Sequence, residues 1–153
     1  MSDKFEKFSI VNSTKDLEKI SFSSIKKNEV NIIFDTNFLF VSFQFNVDVI
    51  DELRKLFGTK FNLFIYEGTI LEIANLETKK TKNKNIIPLI GKMLKLYSFK
   101  IIKSTQTYID DQILENLTTY IYIATNDKEL RLKIQNQRFK VVYLRQKAYL
   151  EVK

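Results

Sequence analysis

The sequence predicts an α/β fold, a three-layer sandwich in which a central, mostly parallel twisted sheet has helices on both faces. Strand-like and helix-like segments alternate from residue 30 to the end of the 153-residue chain. The run at residues 30–34 is apolar and β-branched, which is typical of a buried parallel strand. Helical segments separate the strands, and right-handed crossovers then produce a parallel sheet that is covered on both sides.

The first 29 residues are predicted to be an N-terminal extension, and residues 30–153 the folded domain. Residues 1–29 are polar and mixed, with isolated phenylalanines, and they lack the sustained periodicity of a core element. Within them, residues 16–20 are predicted to form a short helical turn that Asn12, Ser13 or Thr14 would cap.

The helices and strands after residue 34 are predicted from the spacing of apolar residues and from residues that begin or end helices. The first helix is the clearest, because Asp48 can cap it and apolar residues recur at i, i+3 and i+4 spacing until Gly58. Pro88 is tolerated in the first turn of a later helix, which follows a polar loop at residues 77–85. The predicted strands are residues 30–34, 60–66, 99–102, 120–124 and 140–144, and the predicted helices are residues 48–57, 67–76, 86–97, 110–118 and 127–136.

The composition restricts the chemistry before any motif is considered. The chain has no histidine and no cysteine, which excludes disulfides, thiolate nucleophiles, zinc sites built on these residues and the commonest general base. Hydrolysis would have to use carboxylates, whose oxygen atoms favour Mg²⁺ or Mn²⁺. No signal peptide and no apolar run of roughly 18 residues is present, so we expect a cytoplasmic protein without a membrane partner.

Positive charge is concentrated in two segments of a chain whose net charge is +7. Residues 78–109 contain lysines and no acid, and the stretch after residue 127 has a similar excess of Lys and Arg. A polyanion is the natural partner of such a surface. The alternative is that Lys is simply the preferred solvent-facing residue of an AT-rich genome. The candidate phosphate contacts are Lys79, Lys80, Lys82, Lys84, Lys92, Lys95, Arg131, Lys133 and Arg138.

Two acids come after predicted strands. Asp35 directly follows the strand at residues 30–34, and Asp127 lies three residues beyond the strand at residues 120–124. The functional crevice of a parallel sheet lies beyond the carboxyl ends of its strands. Both carboxylates are therefore expected to project into one crevice if these two strands are neighbours.

Two further segments place acids on helices. Asp110 and Asp111 begin a helix, where free N–H groups stabilise negative charge, and Glu72 lies within another helix. Each acid alone is more simply explained as a cap, a turn residue or a solvent-facing side chain. Acids collected at one end of a sheet would repel one another, however, and a divalent cation would relieve that repulsion.

The order and separation of these acidic segments resemble those of a PIN domain. The segments are Asp-Thr-Asn from residue 35, Thr-Ile-Leu-Glu-Ile-Ala-Asn-Leu from residue 69, Asp-Asp-Gln-Ile-Leu from residue 110 and Ala-Thr-Asn-Asp-Lys-Glu-Leu from residue 124. The resemblance extends from residue 30 to the C-terminus. Within this superfamily, residues 43–48 and 142–147 resemble the archaeal subgroup related to the small-subunit rRNA-processing nucleases, which is also similar to VapC-type toxins.

This resemblance implies a metal-dependent endoribonuclease whose acids bind one or two Mg²⁺ or Mn²⁺ ions. Asp35, Asp111 and Asp127 match the core metal-binding acids, and Glu72 matches the further acid of the family. Asp110 is an extra acid beside the motif position, and which member of this pair binds metal is left open. The small polar residues that resemble those orienting the carboxylates or the water are Thr36, Asn37 and Thr125.

The resemblance also implies RNA as the partner, with ribosomal RNA maturation favoured. A VapC-type toxin, blocked by an antitoxin, is the alternative, and a non-catalytic RNA-binding or ribosome-assembly subunit is another. A homodimer is implied as well. Four phenylalanines between residues 38 and 45 could stack on bases, but core packing or a dimer contact explains most of them better.

Two other α/β classes are disfavoured. A phosphate receiver domain also uses acids and Mg²⁺, but the basic balance and the absence of its strand-end Asp, helix and Lys arrangement argue against it. A Walker loop or a G-x-G-x-x-G motif cannot be built from Gly58, Gly68 and Gly91.

Overall fold

A computed structural model describes residues 8–80, 82–104 and 108–153 of the chain. In these ranges the strands are β1 Lys19–Ile20, β2 Asn31–Phe34, β3 Asn62–Tyr66, β4 Lys100–Ile102, β5 Ile121–Ala124, β6 Val141–Arg145 and β7 Tyr149–Val152. They form a seven-stranded sheet with the order β1-β4-β3-β2-β5-β6-β7. Neighbouring strands are parallel except for the antiparallel pair β6 and β7.

Helices cover both faces of the sheet, which confirms the predicted three-layer α/β class. Successive residues of β2 point to opposite faces, so that Ile32 and Phe34 join one buried cluster and Ile33 joins the other. The α-helices of the described ranges are α1 Ile10–Thr14, α2 Val41–Phe45, α3 Val49–Phe57, α4 Glu67–Glu77, α5 Ile87–Leu96, α6 Ile109–Glu115 and α7 Lys128–Asn136. Helices α3, α4 and α5 contribute to the first cluster, and α6 and α7 to the second.

Helix α3 has the ends that its sequence predicts. Asp48 accepts a hydrogen bond from the Asp51 N–H at 3.0 Å, and Gly58 follows the helix with a φ of 82°. None of the helices in the described ranges combines the length and apolar character needed to cross a membrane.

The register of β2 and β5 brings their carboxyl ends together. Phe34 is aligned with Ala124, and the Asp35 N–H donates to the Ala124 carbonyl at 2.9 Å. Ala124 is aligned in turn with Val142 of β6. Residues that directly follow β2 and β5 are therefore neighbours in space. This pairing is the condition under which Asp35 and Asp127 were expected to project into one crevice.

The segment before residue 30 takes part in the core, contrary to its expected lack of core elements. Ile10 is fully buried, and its N–H donates to the Glu77 Oε2 at 2.9 Å. The predicted helical turn at residues 16–20 is wrong, because the helix is α1, capped by Ser9, and part of that segment is strand β1 beside β4. A five-residue helix and a two-residue strand are too short to produce a periodic signal. The domain boundary at residue 30 stays a prediction.

Residues 36–45 form a 3₁₀ helix, Thr36–Phe40, followed by α2, neither of which was predicted. Phe38 is fully buried and meets Phe34 edge to face with ring centroids 4.9 Å apart. Phe40 is buried in the same cluster, and Phe43 and Phe45 pack against it. These rings pack in the core of the chain.

Candidate active site

Asp35 lies where β2 ends and the 3₁₀ helix begins. Its Oδ1 accepts a hydrogen bond from the Thr36 N–H at 2.9 Å, and its Oδ2 accepts one from the Thr125 hydroxyl at 2.7 Å. Only 5% of the residue is exposed. Both carboxylate oxygens are thus held by residues that follow neighbouring strands.

Burial raises the pKa of Asp35 to about 6, because the loss of water penalises the charged carboxylate. The hydrogen bonds from Thr125 and Thr36 oppose this rise, and the negative charges of Asp110 and Glu72 add to it. The site therefore holds negative charge that the surrounding protein does not fully compensate.

Glu72 is tied to Asp35 by two threonines. The Thr36 hydroxyl donates to the Glu72 Oε1 at 3.0 Å, so its oxygen accepts the hydrogen of the Thr69 hydroxyl, also 3.0 Å away. Thr69 is fully buried one turn before Glu72 on α4. Its role was not predicted, although the i, i+3 spacing to Glu72 was visible in the sequence. Burial raises the pKa of Glu72, the Thr36 hydrogen bond opposes the rise and the charge of Asp110 adds to it.

Asp127 caps α7 and faces the same space as Asp35. Its Oδ1 accepts hydrogen bonds from the N–H groups of Glu129 and Leu130 at 2.9 and 3.2 Å. Its own N–H donates to the Thr125 hydroxyl oxygen at 3.1 Å. Thr125 is fully buried and therefore links the two strand-end acids, donating to one and accepting from the other.

Asp110, and not Asp111, joins the other acids. Both residues are exposed, but Asp110 lines the cavity and Asp111 is not part of its wall. Burial raises the pKa of Asp110, the charge of Asp127 adds to the rise, and Lys133 lowers it. Successive helical residues point about 100° apart, and α6 is rotated so that Asp110 is the member of the pair in the cavity wall. The cavity wall thus favours Asp110 over Asp111, and which member of this pair binds metal stays a prediction.

The four acids line a single cavity of ≈ 420 Å³. No three acids in the described ranges already surround a point at which a metal ion could be held. An ion bound at one or two of these carboxylates would complete its shell with water or substrate phosphate. The donor set fits a hard divalent cation, because all the charged groups in the cavity wall are carboxylates, and burial raises the pKa of three of them. The lining residues are Asp35, Thr36, Asn37, Phe40, Gln44, Glu72, Leu76, Asn83, Asp110 and Asp127.

Asn126 was not among the predicted site residues, but its hydrogen bonds connect segments at the edge of the cavity. Its N–H donates to the Asn37 Oδ1 at 3.2 Å, and its own Oδ1 accepts from the Leu144 N–H at 3.1 Å. The segments that follow β2 and β5 are thereby joined to β6. Asn37 contributes to this framework through its side chain, and an orienting role for it toward a carboxylate or a water stays a prediction.

The predicted basic residues surround the cavity unevenly. Lys133 is close enough to Asp110 to lower its pKa and pairs with Glu129 at 3.4 Å. The exposed Lys79, Lys80 and Lys82 and the half-buried Lys84 belong to the connection between α4 and α5. Asn83 of this connection lines the cavity, as does Leu76 near the end of α4.

Other candidate phosphate contacts lie elsewhere. Arg131 stacks on the Tyr143 ring, with its guanidinium carbon 4.5 Å from the ring centroid. Lys92 lines a separate apolar groove with Leu89 and Leu96. Lys95 and Arg138 are exposed and do not line the acidic cavity.

Similar proteins provide an independent comparison. Residues 32–147 match the family described as "PIN like domain". The chain is 30% identical over 124 residues to "Ribonuclease VapC4" of Methanocaldococcus jannaschii, an alignment that covers 79% of this chain and 95% of that protein. Its fold is similar to that of the "PIN domain endonuclease Utp24", with a TM-score of 0.67, 22% identity and coverage of 80% of this chain and 90% of the other.

Proposed function

Because the chain belongs to the PIN-like domain family, we propose that it is a metal-dependent endoribonuclease that hydrolyses RNA phosphodiester bonds at the acidic cavity. The observation that carries this proposal is the convergence of four acids from separate segments on one cavity, all of them within the matched residues 32–147. The identity to a relative named as a ribonuclease supports the same activity.

The free carboxylate oxygens support a cation-binding role. Asp127 uses only its Oδ1 in the helix cap, and Glu72 uses only its Oε1 toward Thr36. In the described part of the chain, the second oxygen of each carboxylate has no hydrogen-bond donor. We propose that these oxygens, with Asp35 and Asp110, hold one or two Mg²⁺ or Mn²⁺ ions.

The residues of the cavity would share the work of hydrolysis. A cation held by these carboxylates would lower the pKa of a bound water and offset the negative charge of the phosphate and the leaving 3′ oxygen. Thr36 and Thr125 keep the Asp35 carboxylate in place, and the Thr69 and Thr36 hydroxyls do the same for Glu72. Glu72 would position the attacking water through its Oε2. Because water is the nucleophile, the products carry a 5′ phosphate and a 3′ hydroxyl.

Ribosomal RNA maturation remains the favoured biological role, and it rests on the subgroup resemblance of residues 43–48 and 142–147. A VapC-type toxin ribonuclease is the second candidate, which the 30% identity to Ribonuclease VapC4 favours. The first role requires a ribosome-assembly context, and the second requires an antitoxin encoded beside this protein. A homodimer would use the apolar groove flanked by the exposed Leu89 and Leu96 of α5.

Cleavage products test the activity and the role together. The purified chain would be incubated with end-labelled small-subunit rRNA precursor fragments and with tRNA, in Mn²⁺, Mg²⁺ or EDTA. We expect metal-dependent cleavage with ligatable 5′ phosphate ends. Cuts at the ends of the mature rRNA support maturation, and preferential cutting of tRNA supports the toxin. Products with a 2′,3′-cyclic phosphate would contradict the proposed mechanism, and RNA binding without cleavage would support the assembly subunit.

A further inference from the structure

We propose that a groove between α7 and β6 binds the phosphate backbone of single-stranded RNA beside the acidic cavity, an inference that rests on the proposed ribonuclease function. This α7–β6 groove has a volume of ≈ 400 Å³. Three of its lining side chains are cations, Arg131, Arg145 and Lys153, and none is an acid. It shares no lining residue with the acidic cavity.

The Arg131 guanidinium has a fixed orientation and free donors, both of which favour phosphate binding. Its guanidinium stacks on the Tyr143 ring at 4.5 Å, which fixes the plane of the group. Among the residues that the structure describes, no carboxylate pairs with Arg131 and no side chain accepts from its N–H groups. A planar guanidinium with its fork of donors free is well matched to two phosphate oxygens.

The Tyr143 ring, on which Arg131 stacks, is held in place by hydrogen bonds. The Tyr143 hydroxyl donates to the Glu151 Oε1 at 2.9 Å, and Arg145 Nη1 lies 3.4 Å from the same oxygen. Tyr143 is 6% exposed. Glu151 therefore offsets part of the charge of Arg145 and anchors the ring, while Arg131 keeps its full charge for a ligand.

The turn that closes the groove keeps polar side chains in a costly conformation. The Ala148 N–H donates to the Arg145 carbonyl at 3.1 Å, and the two residues between them, Gln146 and Lys147, both have a φ of 54°. Such a turn most easily accepts Asn-Gly, because left-handed backbone is unfavourable for residues with longer side chains. Gln146 lines the groove and Lys147 follows it, which is consistent with the use of these side chains for binding.

The groove begins where the acidic cavity ends. Arg131 lies one helical turn after Asp127, about 6 Å along α7, and its N–H donates to the Asp127 carbonyl at 2.9 Å. The Asn126 side chain accepts from the N–H of Leu144, which lines the groove. A strand cut at the cavity can therefore continue directly to Arg131. This continuity favours the substrate itself over an acidic protein segment.

Fluorescence anisotropy of a short labelled single-stranded RNA, in EDTA so that no cleavage occurs, tests the groove. Arg131→Gln should weaken RNA binding about 10-fold and make the slope of log K against log salt concentration shallower by about 0.7, the change for one lost phosphate contact. Arg54→Gln is the matched control, because Arg54 also stacks on a tyrosine, Tyr97, outside the groove. It should bind RNA as the wild type does.

A variant of the turn separates structure from binding. The double substitution Gln146→Asn and Lys147→Gly should raise the Tm, because Asn and Gly adopt the left-handed backbone of this turn at a lower conformational free energy. It should also weaken RNA binding. A purely structural turn would give the higher Tm with unchanged binding, which would overturn a role for it.

The outcomes distinguish this inference from the proposed function. If the wild type cleaves RNA but Arg131→Gln binds RNA as tightly and with the same salt slope, the groove proposal fails alone. Equal weakening by Arg54→Gln, or wild-type binding of polyglutamate as tight as that of RNA, also overturns it. If the wild type binds RNA through the groove but never cleaves with Mn²⁺, the nuclease proposal fails and the groove remains.

Discussion

The hydroxyl of Thr125 donates to the Oδ2 of Asp35 at 2.7 Å, joining two residues that are 90 positions apart in sequence. The same hydroxyl oxygen accepts the Asp127 N–H at 3.1 Å. One fully buried side chain thus sets the position of both strand-end acids. The parallel pairing of β2 and β5 makes this contact, because it aligns the residues that follow the two strands.

Thr125→Val should therefore damage both the fold and the site. The change leaves the Asp127 N–H and a buried carboxylate oxygen without their partner, so we expect a loss of about 1–3 kcal/mol in the free energy of unfolding. RNA cleavage should fall about 10–100-fold, as when other groups that orient metal ligands are removed. Denaturant unfolding and initial cleavage rates measure the two effects.

Thr118→Val is the control for that substitution. The Thr118 hydroxyl is buried without a hydrogen-bond partner in the described part of the chain. Removing it should leave stability unchanged or slightly higher, and cleavage unchanged. A comparable loss of activity in both variants would contradict the orienting role of Thr125.

The raised pKa of Asp35 predicts how stability depends on pH. Its folded pKa of about 6 exceeds the ordinary value of 3.8, so the folded state binds the proton more tightly than the unfolded state. In EDTA, stability from this group is present below about pH 4 and is lost as pH rises through 6, by at most about 3 kcal/mol. Asp35→Asn should remove this dependence and be the more stable protein at pH 7.

Divalent ions should reverse the effect at neutral pH. A cation that binds the folded state stabilises it, so Mn²⁺ should raise the Tm of the wild type at pH 7 and have little effect at pH 4. Asp35→Asn should show a much smaller rise. An equal Mn²⁺ shift in both proteins would show that the ions bind elsewhere.

The two adjacent acids of α6 provide an internally controlled pair. Asp110→Asn should lower cleavage by about 100-fold, because Asp110 lines the cavity with the other acids. Asp111→Asn removes the same charge one residue away and should retain activity close to that of the wild type. Single-turnover cleavage rates compare the two, and the opposite order would favour Asp111 as the metal-binding acid.

The segment before residue 30 should matter for stability. Ile10→Ala removes a fully buried side chain and should cost about 2–5 kcal/mol in the free energy of unfolding. Val11→Ala, at a neighbouring residue that is 49% exposed, should change it by less than about 0.5 kcal/mol. Chemical denaturation measures both changes. Equally small effects of the two substitutions would contradict a contribution of this segment to stability.

The sequence was sufficient for elements that carry their own signals. Helix α3 was predicted because Asp48, Gly58 and the apolar spacing all agree. The central strands were predicted because short, continuous apolar runs are typical of strands buried on both faces. Strands β1 and β7 were missed for physical reasons. β1 has two residues and exists only through its pairing with β4, and the turn before β7 lacks the Asn-Gly signal of a tight hairpin.

The residues of the candidate site also divide into those that the sequence alone could predict and those that depend on tertiary contacts. The strand-end positions of Asp35 and Asp127 followed from the rule that parallel strands present their carboxyl ends at one edge. The choice between Asp110 and Asp111 did not, because it depends on how α6 is rotated about its axis. The contribution of Thr69 was also hidden, since it depends on contact between α4 and the 3₁₀ helix.

Cleavage of labelled RNA by the wild type and by Asp35→Asn, in Mn²⁺ and in EDTA, tests the central claim most directly. Asp48→Asn is the matched control, because Asp48 also caps a helix but does not line the acidic cavity. We expect cutting by the wild type and the control in Mn²⁺, and none by Asp35→Asn or in EDTA. Full cleavage by folded Asp35→Asn, or by the wild type in EDTA, would contradict a metal-dependent nuclease at this cavity.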